Sequence, residues 1–150
     1  LEKHRIVVDI SHASEPLFYD VAEIASKPLV ASHSNAKAVC KHPRNLTNEQ
    51  VQMIKQSGGL IGLNFHPPFL KEDGIATVDD LIAHAEHFLS LDAQDSLAIG
   101  SDFDGADLPQ GIRGIEGIYA IFERFLQLGY SETLLNKIFY TNAQKFFVSL

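Results

Sequence analysis

The sequence contains a single cysteine, Cys40, among its 150 residues. One cysteine excludes an internal disulfide and a cysteine-based zinc cage, and this usage fits a reducing compartment. Basic residues are also few, with 12 Lys and Arg against 19 Asp and Glu and a net charge of −7. Because phosphate binding needs clustered Lys and Arg, and the chain shows no basic stripe, nucleic acid is excluded as the main partner.

Long apolar runs and several nucleotide and hydrolase motifs are missing as well. No run approaches the roughly 20 apolar residues that a membrane-spanning helix needs, and no signal peptide pattern is visible. The GxGxxG fingerprint, the Walker A loop and the GxSxG elbow do not occur. Since 45% of the residues are hydrophobic and 21% are charged, we expect a soluble globular domain with one core.

Four short apolar runs recur along the chain, and each is followed by a stretch with helical spacing. Such nearly continuous runs are typical of strands that are buried on both faces. Strands are predicted over 6–10, 29–32, 60–65 and 97–102, and helices over 15–26, 46–59, 77–91, 114–129 and 131–150. The spacing of roughly 25 to 35 residues is that of βα units with parallel strands. We therefore predict one α/β domain over 1–150, with four parallel βα repeats and a terminal helix.

Helix start signals support these boundaries. Thr47 with Gln50 forms a capping-box pattern before the second helix. Thr77 with Asp80 gives a similar signal before the third, and Ser131 is the expected N-cap of the last.

Polar side chains follow every predicted strand at the point where it ends. His12, His33 and His66 follow the first three strands, and Asp102 closes the fourth. Because ligands bind at the carboxyl ends of parallel strands, we expect these groups to share one rim. Neutral histidine and ionised aspartate are the usual ligands of zinc and similar divalent metals. The pattern therefore predicts a polar, metal-centred site.

Several other polar residues, and His66 itself, also have a purely structural interpretation. His66 precedes two prolines and is equally compatible with a simple turn. His84 and His87 lie at i, i+3 on a predicted helix, where a solvated face is favoured over a metal site. Asp104 fits a turn-forming role beside Gly105. Asp9 ends the first strand, where it is placed to support a neighbouring ligand.

Four segments carry a resemblance to a known family: "DISHAS", "ASHSNAKAVCKHPRNLTNEQ", "GGLIGLNF" and "AIGSDFDG". In this order they resemble the membrane (renal) dipeptidase family of zinc peptidases, almost from end to end of the chain. The resemblance implies an amidohydrolase-type (β/α)8 barrel with two zinc ions. It also implies hydrolysis of dipeptides, in many members with a D-residue on the carboxyl side.

The resemblance assigns roles to four positions. His12 and His33 match the two histidines that hold the second zinc. Arg44 matches the arginine that binds the terminal carboxylate of the substrate, for which a guanidinium fork is well suited. Asp102 matches the aspartate that acts as acid and base.

The chain departs from the family pattern in its extent. The His-x-Asp pair that binds the first zinc does not occur, the bridging glutamate is absent, and four βα units are present where the barrel needs eight. We therefore expect the C-terminal half of a dipeptidase, inactive alone, that pairs with the N-terminal half or with a second copy. We expect a cytoplasmic location, with any export signal in the preceding part.

Two alternatives to the dipeptidase hypothesis stay open at this point. One is a non-catalytic half-barrel, either a remnant or a module that binds a metal or a small carboxylate. The other is a different amidohydrolase activity such as deamination, against which Arg44 argues because its role is to bind a free carboxylate.

Overall fold

A computed structural model describes residues 1–149. Its regular elements alternate between short strands and helices. A 3-10 turn over Glu2–His4 precedes α1 (Glu15–Ile24), β1 (Val30–Ala31), α2 (Asn48–Gln56), β2 (Leu60–Asn64), α3 (Pro67–Leu70), α4 (Val78–Ser90), β3 (Leu97–Ser101), α5 (Gly117–Gln127), α6 (Glu132–Asn136), a π-helical turn (Lys137–Thr141) and α7 (Asn142–Val148).

The strands form one parallel sheet in the order β1-β2-β3. Val30 pairs with Leu60, and Ile61 pairs with Leu97. Because spatial order follows chain order and helices make every crossover, the sheet winds in one direction, as in an arc of a (β/α) barrel. The predicted parallel α/β architecture is confirmed.

The first predicted strand, 6–10, is wrong in its extent. The segment reaches the sheet through one parallel bridge between Asp9 and Val30, with Ile10 N donating to Val30 O at 2.7 Å. It pairs with the two-residue β1, so the ladder between them is short. The four predicted βα units are therefore present in order, but the first has a single bridge, β1 has two residues, and β2 and β3 have five each.

The predicted helix starts are observed. Gln50 N donates to Thr47 Oγ1 at 3.2 Å, and Thr47 N donates to Gln50 Oε1 at 2.9 Å. Asp80 Oδ2 accepts from Thr77 N at 2.8 Å, and Leu134 N donates to Ser131 Oγ at 3.3 Å. The terminal helix begins as predicted but contains the π-helical turn, and the predicted last residue, 150, lies outside the described residues.

The main core lies between the sheet and the helices. It includes Ile61, Leu63, Phe88 and Phe125, all fully buried. A smaller cluster packs Phe146 of α7 against Val30, Leu60 and Ala98. No helix within residues 1–149 combines the length and apolar character needed to cross a bilayer.

α7 contacts the amino-terminal end of the sheet. Asn142 Nδ2 donates to Gln94 O and to Leu97 O, each at 2.8 Å, at the point where β3 begins. The carboxyl ends of the strands lie at the opposite edge, where the polar residues predicted from the sequence are found.

Candidate active site

Two glycines shape the path of the chain as it leaves β1. A Cβ atom at Gly62 or at Gly100 would overlap the carbonyl oxygen of Ser32. Because neither residue has a side chain, the backbone at Ser32 lies directly against the neighbouring strands, and Ser34 N donates to Gly62 O at 2.7 Å. This close approach fixes the position from which His33 projects.

His12 and His33 meet at the carboxyl ends of the first segment and β1. Their Nε2 atoms are 2.9 Å apart, and the ring centroids are 5.0 Å apart in an edge-on arrangement. The two histidines predicted as a pair are therefore brought into direct contact.

Asp9 anchors the loops that carry both histidines. Its Oδ1 accepts from Ser11 N at 3.0 Å, Ser11 Oγ at 2.8 Å and Ser32 N at 3.0 Å. Its Oδ2 accepts a short hydrogen bond from Ser32 Oγ. Burial disfavours the charged carboxylate, but the hydrogen bonds from Ser32 and Ser11 together outweigh it and hold the pKa of Asp9 below its usual value.

This network selects one tautomer of His33. The Ser32 hydroxyl donates its only proton to Asp9, so its oxygen accepts from His33 Nδ1, which lies 2.7 Å away. In neutral His33 the lone pair is then on Nε2, the atom that faces His12. Burial is the main cause that lowers the pKa of His33, while the charges of Asp102 and Asp9 oppose it.

Arg44 lies beside the loop that carries His12. Its Nε donates to Ser11 O at 3.0 Å, and its guanidinium carbon lies 5.2 Å from the centre of the Phe69 ring. Among residues 1–149, the two Nη groups of Arg44 donate no hydrogen bond to protein atoms. They are available to a planar anion.

Asp102 follows β3 in a left-handed conformation, with φ of 69°. Its Oδ2 accepts from Asn64 Nδ2 at 3.3 Å. A Cβ atom at Gly105 would clash with Asp102 Oδ1, so the glycine permits the close turn. The Asp102 carboxylate is close enough for its charge to raise the pKa of His33. All four predicted site residues thus lie in one region.

A second group of side chains surrounds Phe69, and no signal in the sequence indicated that His42 and His66 would meet there. The ring centroids of His42 and His66 lie 4.4 and 4.7 Å from that of Phe69. His42 lies in the loop between β1 and α2, where it is half-buried and its Nδ1 accepts from Arg44 N at 3.2 Å. His66 Nδ1 is buried without a hydrogen-bond partner among residues 1–149.

The solvated face predicted for His84 and His87 is wrong for His84. His84 is fully buried, with Nδ1 accepting from Ala36 N at 3.0 Å and Nε2 donating to Leu70 O at 3.0 Å. α4 directs this residue toward the loop after β1. His87 is half-buried and contacts Asn48 Oδ1 at 2.8 Å, and Asp104 is exposed.

The histidine pair fits part of a zinc site. Two nitrogens that bind one tetrahedral zinc at about 2.0–2.1 Å lie about 3.3 Å from each other. The Nε2 atoms at 2.9 Å need to separate only slightly to reach that spacing. Within residues 1–149 no group of three or more His, Cys, Asp or Glu side chains is placed to hold a metal ion.

Parallel βα units with imidazole and carboxylate groups at the strand ends define the class of protein to which this chain belongs. The chain is a (β/α)-barrel-type protein with a polar site at the carboxyl ends of its strands.

The family model described as membrane dipeptidase (peptidase family M19) matches residues 1–149. An uncharacterised Klebsiella pneumoniae protein from the pqqA 5′ region is 37% identical over 142 residues, which are 92% of this chain and 52% of that protein. Dipeptidase tcpJ of Claviceps purpurea is 34% identical over 143 residues, 91% of this chain and 33% of that protein.

A metallo peptidase from Rhodobacter sphaeroides, whose crystal structure contains a phosphinate mimic of the dipeptide L-Ala-D-Ala, has a similar fold. It matches with a TM-score of 0.88 and 41% sequence identity, over 92% of this chain and 40% of that chain.

The chain belongs to the membrane dipeptidase family, peptidase family M19. The family predicted from the sequence segments is thereby confirmed. The chain spans 52% of the Klebsiella protein and 40% of the Rhodobacter structure, and it corresponds to a segment of their fold.

Proposed function

We propose that this chain forms part of a zinc-dependent dipeptidase. It would bind one zinc ion and the substrate carboxylate, and it would supply the group that transfers the proton. The observation that carries the proposal is the 2.9 Å approach of His12 Nε2 to His33 Nε2 at the carboxyl ends of the strands. Asp102 and Arg44 both lie close enough for their charges to act on His33. Family membership supports the same reading.

His12 and His33 would hold the metal through their Nε2 atoms. When bound, zinc supplies Lewis acidity, which activates water and polarises the scissile carbonyl. The hydrogen-bonded chain from Asp9 through Ser32 keeps His33 in the tautomer with a free Nε2 lone pair. A fixed ring orientation of this kind raises metal affinity, because the ligand nitrogen already carries its lone pair before the metal binds.

Asp102 is assigned the proton transfers. Its carboxylate takes a proton from the attacking water and then gives that proton to the amine nitrogen that leaves when the peptide bond breaks. Its position at the end of β3 brings it near His33, where an acid and base group must lie to serve the same substrate.

Arg44 is assigned the terminal carboxylate of the substrate. Nε is occupied by Ser11 O and the guanidinium lies over the Phe69 ring, so the guanidinium is held in one orientation. A fixed guanidinium binds a planar carboxylate through parallel hydrogen bonds. The L-Ala-D-Ala mimic bound by the Rhodobacter metallo peptidase supports a dipeptide substrate with a D-residue on the carboxyl side.

The active site is completed by residues outside this chain. A catalytic zinc needs about three protein ligands, and residues 1–149 bring two imidazoles together without a third ligand. The remaining ligands, including those of a second zinc, would come from the N-terminal half of the barrel or from a second copy of this chain. The chain alone is then inactive. A cytoplasmic location remains the expectation from the single free cysteine, Cys40.

Zinc analysis and dipeptide hydrolysis in the full-length protein containing this chain test the proposal. The wild type should bind two zinc ions per active site and hydrolyse L-Ala-D-Ala, whereas the double variant His12→Ala, His33→Ala should lose one zinc and its activity. His87→Ala serves as the control, since His87 lies on α4 and contacts Asn48. Full activity in the double variant would contradict the assignment.

The lack of a third zinc ligand within residues 1–149 also favours a second candidate function, a module that binds a metal or a small carboxylate without turnover. That alternative predicts weak zinc binding and no hydrolysis of any dipeptide, even in the full-length protein.

A further inference from the structure

We propose that Asn64 is a positioning residue that sets the orientation of the Asp102 carboxylate. This inference rests on the proposed function, because it assigns Asp102 the proton transfers. The observation behind it is a buried amide that joins three segments of the site.

Asn64 is the last residue of β2 and is 0% exposed. A buried amide is destabilising unless its polar atoms are hydrogen-bonded. Oδ1 accepts from His66 N at 2.5 Å, and Nδ2 donates to Asp102 Oδ2 at 3.3 Å. A backbone N–H can only donate, so Oδ1 must face His66 and the amide NH2 must face Asp102. The orientation of the side chain is therefore determined by its partners.

A second buried amide fixes the backbone of Asn64. Asn35 Nδ2 donates to Asn64 O at 2.9 Å, and Asn64 N donates to Asn35 Oδ1 at 3.1 Å. Asn35 is likewise 0% exposed. β1 ends at Ala31 and cannot pair with Asn64. The two hydrogen bonds with the Asn35 side chain therefore satisfy the backbone N–H and C=O of Asn64 on the side that faces β1.

The register of the sheet then directs Asn64 toward Asp102. Leu63 pairs with Ile99, but a shift between Leu63 and Asn64 makes Asn64 pair with Ser101. Ser101 immediately precedes Asp102, so the irregularity places the amide beside the carboxylate. Without the shift, Asn64 would pair one residue earlier along β3.

Asp102 has few other constraints within residues 1–149. Asn64 is the one side chain in that range that donates a hydrogen bond to it. The residue has a φ of 69°, a conformation that non-glycine residues rarely adopt. A carboxylate in such a turn needs a fixed donor to keep its plane in one orientation. Asn64 supplies that donor.

The test uses the full-length protein and L-Ala-D-Ala, with kcat, KM, zinc content and thermal unfolding measured for each variant. Asn64→Asp is isosteric but replaces the donor with a carboxylate oxygen. We expect kcat to fall by about 100-fold or more, the order that a positioned acid and base contributes. KM should change by less than threefold and zinc content should stay the same, since Arg44, His12 and His33 are untouched. The acid limb of the kcat profile should move to higher pH, because a negative charge beside Asp102 disfavours its ionisation.

Asn64→Ser provides a second variant if the aspartate prevents folding, because it introduces no buried charge. The matched control is Asn142→Asp, since Asn142 is also buried with two hydrogen bonds but lies at the amino-terminal end of the sheet. A merely structural role predicts that Asn142→Asp and the Asn64 variants lose activity only in proportion to their loss of folded protein.

The outcomes separate the inference from the proposed function. If the wild type hydrolyses dipeptides but both Asn64 variants keep kcat within twofold, the positioning role is overturned and the function stands. If the wild type binds zinc but hydrolyses no dipeptide, the proposed function fails and the positioning role fails with it.

Discussion

His12 Nε2 lies 2.9 Å from His33 Nε2, although the two residues are 21 positions apart in the chain. One imidazole must donate and the other accept, and the chain of hydrogen bonds from Asp9 through Ser32 makes His33 the acceptor. The free lone pair of His33 is then directed at a neighbouring imidazole, in the place where the proposed function puts a metal ion.

Asp9→Asn should weaken zinc binding by about 10- to 100-fold, as is typical for a group that orients a metal ligand. Three donors approach Oδ1, so the amide oxygen takes that place and the NH2 replaces Oδ2. Ser32 can then no longer donate to residue 9, and its proton turns toward His33 Nδ1. The proton of His33 moves to Nε2, which blocks the lone pair.

Competition with a chelator of known zinc affinity measures this effect in the full-length protein. Asp104→Asn is the control, because Asp104 is an exposed aspartate two residues after Asp102. Equal zinc affinities for the wild type and Asp9→Asn would exclude the tautomer argument.

Arg44→Lys should raise KM for L-Ala-D-Ala about 10-fold or more while kcat changes little. Lysine keeps the charge but loses the planar fork that binds a carboxylate through two hydrogen bonds. Steady-state kinetics give the comparison, with the dipeptide amide as the matched substrate, since it has no carboxylate to lose. Arg113→Lys serves as the protein control, because Arg113 is an exposed arginine between β3 and α5. An unchanged KM for L-Ala-D-Ala would contradict the assignment of Arg44 to the substrate carboxylate, and turnover of an uncharged base that is insensitive to Arg44→Lys would favour the deaminase alternative.

Gly62→Ala should destabilise the protein by about 1–3 kcal/mol, the usual cost of a side chain forced into packed structure. The added methyl group would overlap Ser32 O and displace the loop that carries His33, so zinc binding should weaken as well. Urea unfolding and zinc analysis test both effects.

Gly111→Ala separates the steric effect from backbone conformation. Gly111 has a φ of 92°, and nothing lies within 4 Å of the position of its Cβ. Its substitution should therefore affect stability but leave zinc binding unchanged. If Gly62→Ala binds zinc normally, the glycine contact does not position His33.

Stability should decrease as the pH falls below about 7, and His84 should contribute. Burial is the main cause that lowers the pKa of His84 below its ordinary value of 6.5, with His87 acting in the same direction. The hydrogen bond to Leu70 and the charge of Asp80 oppose this effect. Because the unfolded chain then binds a proton more readily than the folded one, the stabilisation is complete above pH 6.5 and is lost as the pH falls toward the folded pKa.

Urea unfolding between pH 5 and 8 measures this dependence. His84→Gln should be less stable at pH 8, because the buried site loses its fitted ring, and it should show a flatter pH dependence. His87→Gln should keep most of the wild-type slope, and the part that persists in His84→Gln reflects His33 and His42, whose pKa values are also lowered by burial. An unchanged slope in His84→Gln would show that its titration does not contribute.

Local sequence patterns predicted the parallel βα units, the helix caps at Thr47, Thr77 and Ser131, and the polar residues at the strand ends. They could do so because apolar runs and capping residues act over a few positions. The family segments likewise pointed to the four candidate site residues, which the fold brings into one region. The order of the strands followed from these units without any knowledge of their contacts.

Other features depended on contacts between distant parts of the chain. His84 looked like a surface residue, but the loop after β1 packs on it and buries it. Asn64 and Asn35 gave no signal beyond a polar residue near an apolar run, because their partners lie in other segments. The tautomer of His33 likewise depends on Asp9, 24 residues earlier.

The sequence by itself determined the order of the βα units and the chemical groups at the strand ends, because these follow from spacing along the chain. Only the tertiary structure decided which atoms of those groups face each other. The register shift between Leu63 and Asn64 and the approach of Ser32 to Gly62 are both long-range packing effects. A difference of one residue in register, or one methyl group at the contact, would place the same side chains elsewhere.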